Sequence, residues 1–345
     1  MSILSGVSDF FGLDIGSTAI RVVQLSTGPK KQLLRYGMVP IDAKTSLSDS
    51  KGDQQKVAAK VQEVMTAAKI TTNNVAVGLP SSRVFTMVTD IDRLAPHELS
   101  KSIKYQADSL IPTPIESSKI DWAVIGDSPE SSNKVELLLS SVTNDYVESR
   151  LDLLESIGLN VIAFEPDNLV LTRSMLPSDS TTTHMVIDIG SLNTDIVITI
   201  NNVPRLIRTV PTGSEAIIKS AMSNLSIDEK QASEFVFKFG LSQQKLEGQV
   251  YNGIIGTIDL LVSDIEKSIK FFQTRYKDKK VERIVMTGAA SSLPEFPLYI
   301  ANKLGVNVEI GNSWRNVIYD PARQNELMGL SNHFGVAVGL AERNV

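Results

Sequence analysis

The sequence predicts a duplicated two-domain α/β fold with a small inserted α/β module, on three observations. The stretch over residues 11–25, FGLDIGSTAIRVVQL, runs an apolar strand into Asp14, bends at Gly16-Ser17-Thr18 and resumes with β-branched Ile20, Val22 and Val23, which is a hairpin pattern. Residues 184–200, HMVIDIGSLNTDIVITI, repeat the strand, the Asp-Ile-Gly-Ser and the return strand, starting now at Asp188. Each copy opens a segment of similar order, three strands, a helix, a strand and further helix, and 345 residues exceed the usual single core. A repeat at this scale implies two similar domains facing one another across a cleft rather than a solenoid.

Composition narrows the function. Hydrophobic residues at 42% with 21% charged residues suit folded cores in both halves. A net charge of −5, a pI near 5.4 and the absence of a long Lys/Arg cluster leave no electrostatic footprint for nucleic acid. Without cysteine there is no disulfide framework, thiolate zinc site or thiol nucleophile, and three scattered histidines offer no metal spacing. No apolar run approaches the roughly 18 to 20 residues that span a bilayer. The start lacks the basic and apolar regions of a signal peptide, so the expected location is cytoplasmic.

In chain order, residues 1–11 place Ile3, Leu4, Val7, Phe10 and Phe11 on roughly one helical face, read as a short helix packed on its own domain. After the hairpin come an expected strand at 32–39 and a polar loop over 42–53. A helix over 54–69 follows, with Val57, Val61, Val64 and Ala68 at helical spacing, then a strand at 75–79. Over 80–160 the pattern becomes strand, helix, two strands and helix, the inserted module. Its first helix opens at Pro96 and stops at Ile111-Pro112-Thr113-Pro114, because a residue before proline is driven out of the α region. Its last helix, over 144–157, is expected to be capped by Asn144 and closed by Gly158.

A strand at 161–164 runs into Glu165-Pro166, and Pro166 suits the first turn of a helix over 167–175, where a missing N–H costs nothing. The polar run 177–183 reads as a linker. Beyond the second hairpin, Thr212-Gly213-Ser214-Glu215 introduces a helix, and further helices are expected over 228–239 and 253–276. A strand at 281–286 ends in Thr287-Gly288-Ala289-Ala290, and a helix at 294–304 leads to a strand at 306–310. The last helix, over 334–342, carries Gly335, Ala337 and Gly339, a spacing that permits close approach of another helix. The expected domains are 1–79 with 161–180 and 334–345, the module 80–160, and a second domain over 181–333.

The two Gly-Ser bends have small side chains and backbone N–H groups suited to clamping one polyphosphate. Asp14 and Asp188 beside them would hold Mg²⁺ largely through water, as this reluctantly dehydrated ion prefers.

These residues carry a family resemblance. Asp14-Ile15-Gly16-Ser17, Asp188-Ile189-Gly190-Ser191 and Gly288-Ala289-Ala290 resemble, in that chain order, the two phosphate motifs and the adenosine motif of the actin-like ATPase superfamily. Glu165-Pro166 and residues 335–341 are similar to its two connecting helices. Within the superfamily, FGLDIGSTAIRVVQLS, KSIKYQADSLIPTPIESSKIDW, LVSDIEKSIKFFQTRY and FGVAVGLAER resemble the PilM family of type IV pilus assembly proteins. The resemblance implies an actin-like, ribonuclease H-like fold with ATP and Mg²⁺ in its cleft. It implies nucleotide contacts from Gly16, Ser17, Thr18, Gly190, Ser191, Asn193, Thr194, Gly213, Gly288 and Ala289, metal contacts from Asp14 and Asp188, and Glu165 as the catalytic residue of at most a slow ATPase. It implies a partner too: the N-terminal cytoplasmic segment of the inner-membrane pilus protein PilN, docked against the inserted module and recruiting the chain to the membrane. Two departures stand out. The adenosine turn reads Gly-Ala where Gly-Gly is common, and Glu234 and Lys238 match the adenosine-facing Glu and Lys of relatives too poorly to be assigned.

Rival readings fare worse. A sugar or acetate kinase shares the clamp but needs an aspartate in a second site to deprotonate an acceptor, and a chaperone needs a further substrate domain. The cell-division relative FtsA also carries an inserted module, but ends in a linker and amphipathic membrane helix, whereas this sequence ends at Glu342-Arg343-Asn344-Val345.

Overall fold

The computed structural model describes residues 9–344. The chain divides into two compact units, one up to Val170 and from Val336 onward, the other Leu171–Gly335. The first contains β1 (Phe11–Ile15), β2 (Ala19–Leu25), β3 (Leu33–Pro40), α1 (Ala43–Leu47), α2 (Lys51–Ala68) and β4 (Asn74–Leu79). Then follow β5 (Val84–Asp92), α3 (Pro96–Leu110), β6 (Ser118–Asp127), β7 (Lys134–Thr143), α4 (Asn144–Ser156), β8 (Asn160–Pro166) and the start of α5 (Asp167–Met175).

The main sheet of this unit has the order β3-β2-β1-β4-β8, an antiparallel meander continued by two parallel strands. The stripe Val57, Val61, Val64 and Ala68 of α2 packs with Leu13, Ile20, Val22 and Val77 of the sheet. Each of these valine, leucine and isoleucine side chains contributes about 1.5–3 kcal/mol when fully buried. At the edge, Val75 pairs with Val161 but Ala76 pairs with Ala163, leaving Ile162 as an extra residue. Such a bulge breaks the strict alternation of faces. Accordingly Val161 and Phe164, an odd number of positions apart, pack against the same cluster. A separate sheet, β5-β7-β6, is covered on one face by α3, whose Leu99 and Ile103 join Leu137 and Leu139.

The second unit runs β9 (Thr183–Ile189), β10 (Thr194–Ile200), β11 (Val203–Val210), α6 (Ser214–Leu225), α7 (Glu229–Phe239) and α8 (Gln249–Arg275). It continues with β12 (Arg283–Thr287), α9 (Phe296–Leu304), β13 (Asn307–Ile310) and α10 (Gln324–Ala341), whose last residues belong to the first unit. Its sheet order, β11-β10-β9-β12-β13, repeats that of the first unit, again three antiparallel strands and then two parallel ones. Ile258, Leu261 and Ile265 of α8 and Ile217 and Ala221 of α6 pack with Ile187, Ile196 and Ile198.

Several local expectations need correction. The expected loop over 42–53 contains α1, because the Asp42 carboxylate accepts from the Thr45 N–H and caps a short helix. The next helix begins at Lys51, with Ser50 accepting from the Asp53 N–H. Asn144 is not the cap of α4: Thr143 holds that position, and the Asn144 amide donates to the Glu116 carbonyl. Pro166 closes β8 instead of opening α5, at an edge position where its missing N–H removes no ladder bond. The final helix starts well before residue 334, from a turn at Pro321–Arg323 capped by Asp320. Most of the helix expected over 1–11 lies outside the described residues, but Phe11 opens β1 and the Asp9 carbonyl accepts from Thr72 and Asn74. The close approach expected around α10 occurs: a Cβ on Gly339 would fall 2.4 Å from the Val170 carbonyl, and one on Gly335 2.6 Å from the Met175 methyl.

Candidate functional site

The first hairpin turns through residues 16–18, with the Gly16 N–H donating to the Ala19 carbonyl at 3.1 Å. The N–H groups of Ser17 and Thr18 make no hydrogen bond among the described residues, so the bend presents two adjacent donors. Asp14 is buried, directly opposite Arg21 in the strand register, and Arg21 Nη1 donates to its Oδ2 at 2.9 Å. Burial pushes the Asp14 carboxyl up from its ordinary range, while the Arg21 charge and hydrogen bond pull it down. Arg21 Nε is buried beside the bend with no hydrogen-bond partner. Sequence reasoning missed Arg21, although the hairpin register contains it: with Ile15 opposite Ile20, Asp14 must face Arg21.

The Gly16 carbonyl accepts from the Ser46 hydroxyl at 2.8 Å. Gly16 C=O and Ser17 N–H share one planar trans peptide and point in opposite directions, so the bond from Ser46 aims the Ser17 N–H outward. Ser46, on α1, was invisible to sequence reasoning because that helix was read as a loop.

The second bend is built alike but braced differently. Gly190 N–H donates to the Asn193 carbonyl at 3.0 Å, and the Gly190 and Ser191 carbonyls accept from the Ser214 and Glu215 N–H groups at 2.9 and 3.0 Å. Those are first-turn donors of α6 that have no partner within the helix, so bend and helix satisfy each other. The Thr194 hydroxyl donates to the Thr212 carbonyl at 2.7 Å and the Ser191 hydroxyl to Glu215 at 3.3 Å, both closing the bend onto α6. Where the first hairpin sets Arg21 opposite Asp14, the second sets Asp195 opposite Asp188, and Asp195 accepts from the Thr209 hydroxyl at 2.6 Å. The residue opposite the bend aspartate is thus an arginine in the first hairpin and a second aspartate in the other.

Two glycines give this second bend its shape. A Cβ on Gly213 would lie 2.4 Å from the Ser191 carbonyl oxygen, and one on Gly288 would lie 2.4 Å from both Asp188 Oδ1 and the Ile189 carbonyl. Gly288 has φ +84 and ψ 164, a region essentially closed to other residues. The unusual conformation sits on Gly288, while Ala289 already opens the short 3₁₀ turn that follows, so alanine at the second position is tolerated. The structure therefore gathers Asp188, Gly190, Ser191, Asn193, Thr194, Gly213 and Gly288 about one bend of the second unit, and Asp14, Gly16, Ser17 and Thr18 about the bend of the first.

Glu165 lies at the C-terminal end of β8, where Arg343 Nη1 stands 3.0 Å from its Oε1. Both line a groove of about 380 Å³ in the first unit, between the open face of the β5-β7-β6 sheet and the end of β8. Apolar walls come from Val84, Ala123, Leu138 and Val142, and Val147 of α4 adds to them.

A family model described as type IV pilus assembly protein PilM matches residues 12–345. The chain belongs to this family. Among solved structures, it is similar to a PilM-PilN type IV pilus biogenesis complex at 22% identity, covering 96% of this chain and 97% of that one, with a TM-score of 0.82. MreB5 of Spiroplasma citri bound to ADP matches at 10% identity over 96% and 95% of the two chains, with a TM-score of 0.57. The ethanolamine utilization protein EutJ from Carboxydothermus hydrogenoformans has the same score at 13% identity, over 96% and 88%. The family thus has the actin-like ATPase fold, which is the fold of this chain, with two ribonuclease H-like sheets of mixed strands. Among the described residues no helix is long and apolar enough to cross a membrane.

Proposed function

We propose that this PilM family member binds ATP with Mg²⁺ through its two Gly-Ser bends and docks the N-terminal segment of a PilN-like inner-membrane protein in the groove of the first unit. The observation that carries the nucleotide reading is the pair of bends, each with its glycine carbonyl held from behind so that the next N–H points outward. Arg21 strengthens it, since a buried guanidinium nitrogen without a partner suits a phosphate oxygen. The solved MreB5 relative is described with ADP bound in one structure and with AMPPNP bound in another.

The residues fit the metal unequally. Asp14 is engaged by Arg21 and would meet Mg²⁺ only through water, whereas Asp188 stands opposite a second carboxylate, a donor set that suits the water shell of a hard divalent ion. The ion would neutralise phosphate charge. Thr18 and Asn193 would add contacts at the bends, and Gly288 and Ala289 would admit the nucleoside. Glu165 is the residue for orienting a water, and its tie to Arg343 makes that role conditional on the groove.

For the partner, the groove has apolar walls and a charged floor, chemistry that suits a short segment with apolar side chains and one polar end. Residues 80–160 supply most of its walls, and we assign them the docking role.

Two measurements test this. Calorimetric titration with ATP is expected to give heat and a rise in Tm only when Mg²⁺ is present; no heat and no shift would overturn the nucleotide reading. A peptide of the PilN N-terminal segment is expected to bind the full chain, and Ser140→Arg, which fills the groove from β7, to weaken it about tenfold or more. Equal affinity in the two proteins would remove the groove from the interface.

A further inference from the structure

Ser46 and Arg150 link the first bend to α4, whose Val147 lines the groove. Ser46 is 3% exposed, and its hydroxyl holds the Gly16 carbonyl at 2.8 Å. In the second unit the Ser214 backbone N–H does that work on Gly190. The first bend therefore rests on a side chain where the second rests on a helix terminus.

The Ser46 carbonyl in turn accepts from Arg150 Nη2 at 3.4 Å. Arg150 belongs to α4 and is 7% exposed. Its Nε donates to the Tyr146 hydroxyl at 3.3 Å and its Nη1 to Gln54 Oε1 at 3.4 Å, so these partners are neutral and leave its charge uncancelled nearby. The Tyr146 ring is flanked by Arg150 and Arg83, each 5.3 Å from its centroid. The next residues in the chain after Tyr146 and Arg83, namely Val147 and Val84, line the groove.

We propose that Ser46 and Arg150 are positioning residues that couple the first bend to the groove, so that phosphate at the bend and a segment in the groove change each other's affinity. This rests on the function proposed above. An anion at the Ser17 N–H pulls on the peptide plane that Ser46 holds, and draws the uncompensated guanidinium toward the bend. Because its guanidinium is braced on the Tyr146 hydroxyl and ring, a shift of Arg150 disturbs Tyr146 and, beside it in the chain, Val147. Coupling of this kind is reciprocal: whatever factor the nucleotide imposes on the peptide, the peptide imposes on the nucleotide.

The test titrates the PilN-segment peptide into the full chain with and without saturating ATP and Mg²⁺, and reads the ratio of the two dissociation constants. In the unmodified protein the ratio is expected to differ from unity by about fivefold or more. In Arg150→Met and in Ser46→Ala it is expected to fall within about twofold of unity. The ratio is the readout because lost packing alone would move both constants together. If Arg150→Met does not fold, Ser46→Ala decides, since it removes one hydroxyl. A ratio of unity in the unmodified protein, or an unchanged ratio in the folded variants, overturns the coupling. Absence of any ATP or peptide binding overturns the proposed function and the coupling with it; binding of both with no coupling overturns the coupling alone.

Discussion

At the scale of single residues, the chemistry rests on atoms that are held from behind. Arg21 and Asp14 form an ion pair with side chains 12% and 8% exposed, so neither charge has water to fall back on. Removing one partner of such a pair leaves a buried charge uncompensated, and Arg21→Met is expected to lower stability by about 3–5 kcal/mol in denaturant unfolding. The double variant with Asp14→Asn is expected to recover part of that loss, since the stranded charge is gone. Both variants should bind ATP more weakly than the unmodified chain in the same titration. Asp14 was legible in the sequence because the Asp-Ile-Gly-Ser string announces itself twice. Arg21 was legible only through register, and Ser46 not at all, because a hydrogen bond across 30 positions leaves no trace in local pattern.

At the scale of elements, the turns after β9 and β12 share one constraint. Gly288 combines a conformation that L-residues avoid with contact on Asp188 and Ile189. Gly288→Ala is expected to cost about 1–3 kcal/mol for the backbone alone, with a further loss of ATP affinity as the Asp188 carboxylate is displaced. Gly305→Ala is the control: its φ is +65, yet no atom lies within 4 Å of a Cβ there, so stability should fall while affinity holds. Elements with a strong period, such as α2 and α8, were readable because one face meets the sheet and the other meets water. Their ends were less so: α1 and the true start of α10 depend on caps at Asp42 and Asp320, and a capping side chain looks like any loop residue until the helix is seen.

At the scale of the molecule, the repeated strand order explains why two short motifs sufficed to announce the fold: each marks the first hairpin of a five-stranded sheet whose remaining strands follow in the same sequence. What the repeat could not reveal is where the halves differ, as at Asp14 with Arg21 against Asp188 with Asp195. Another difference is His184 in β9, 5% exposed and hydrogen-bonded to Thr182. Burial lowers its pKa from the ordinary 6.5, with the nearby Arg283 and Arg315 charges acting the same way. Between the lowered value and 6.5 the unfolded chain binds a proton that the folded one declines, so stability is full above that window and falls as pH drops through it. Thermal unfolding is expected to show Tm declining from about pH 7 to about pH 5.5, and less steeply in His184→Gln. The irregularity at Ile162 carries a different lesson. Pairing Ile162 into the ladder in place of the bulge would slide the residues after it by one, and the next side chains would trade faces, the Phe164 ring leaving the side of Val161 and the Glu165 carboxylate turning toward the core there. Composition would not change, yet the groove would lose the Glu165 carboxylate and the core would gain it. The character of this surface is thus written in a tally of positions along one edge strand as much as in the residues that occupy them.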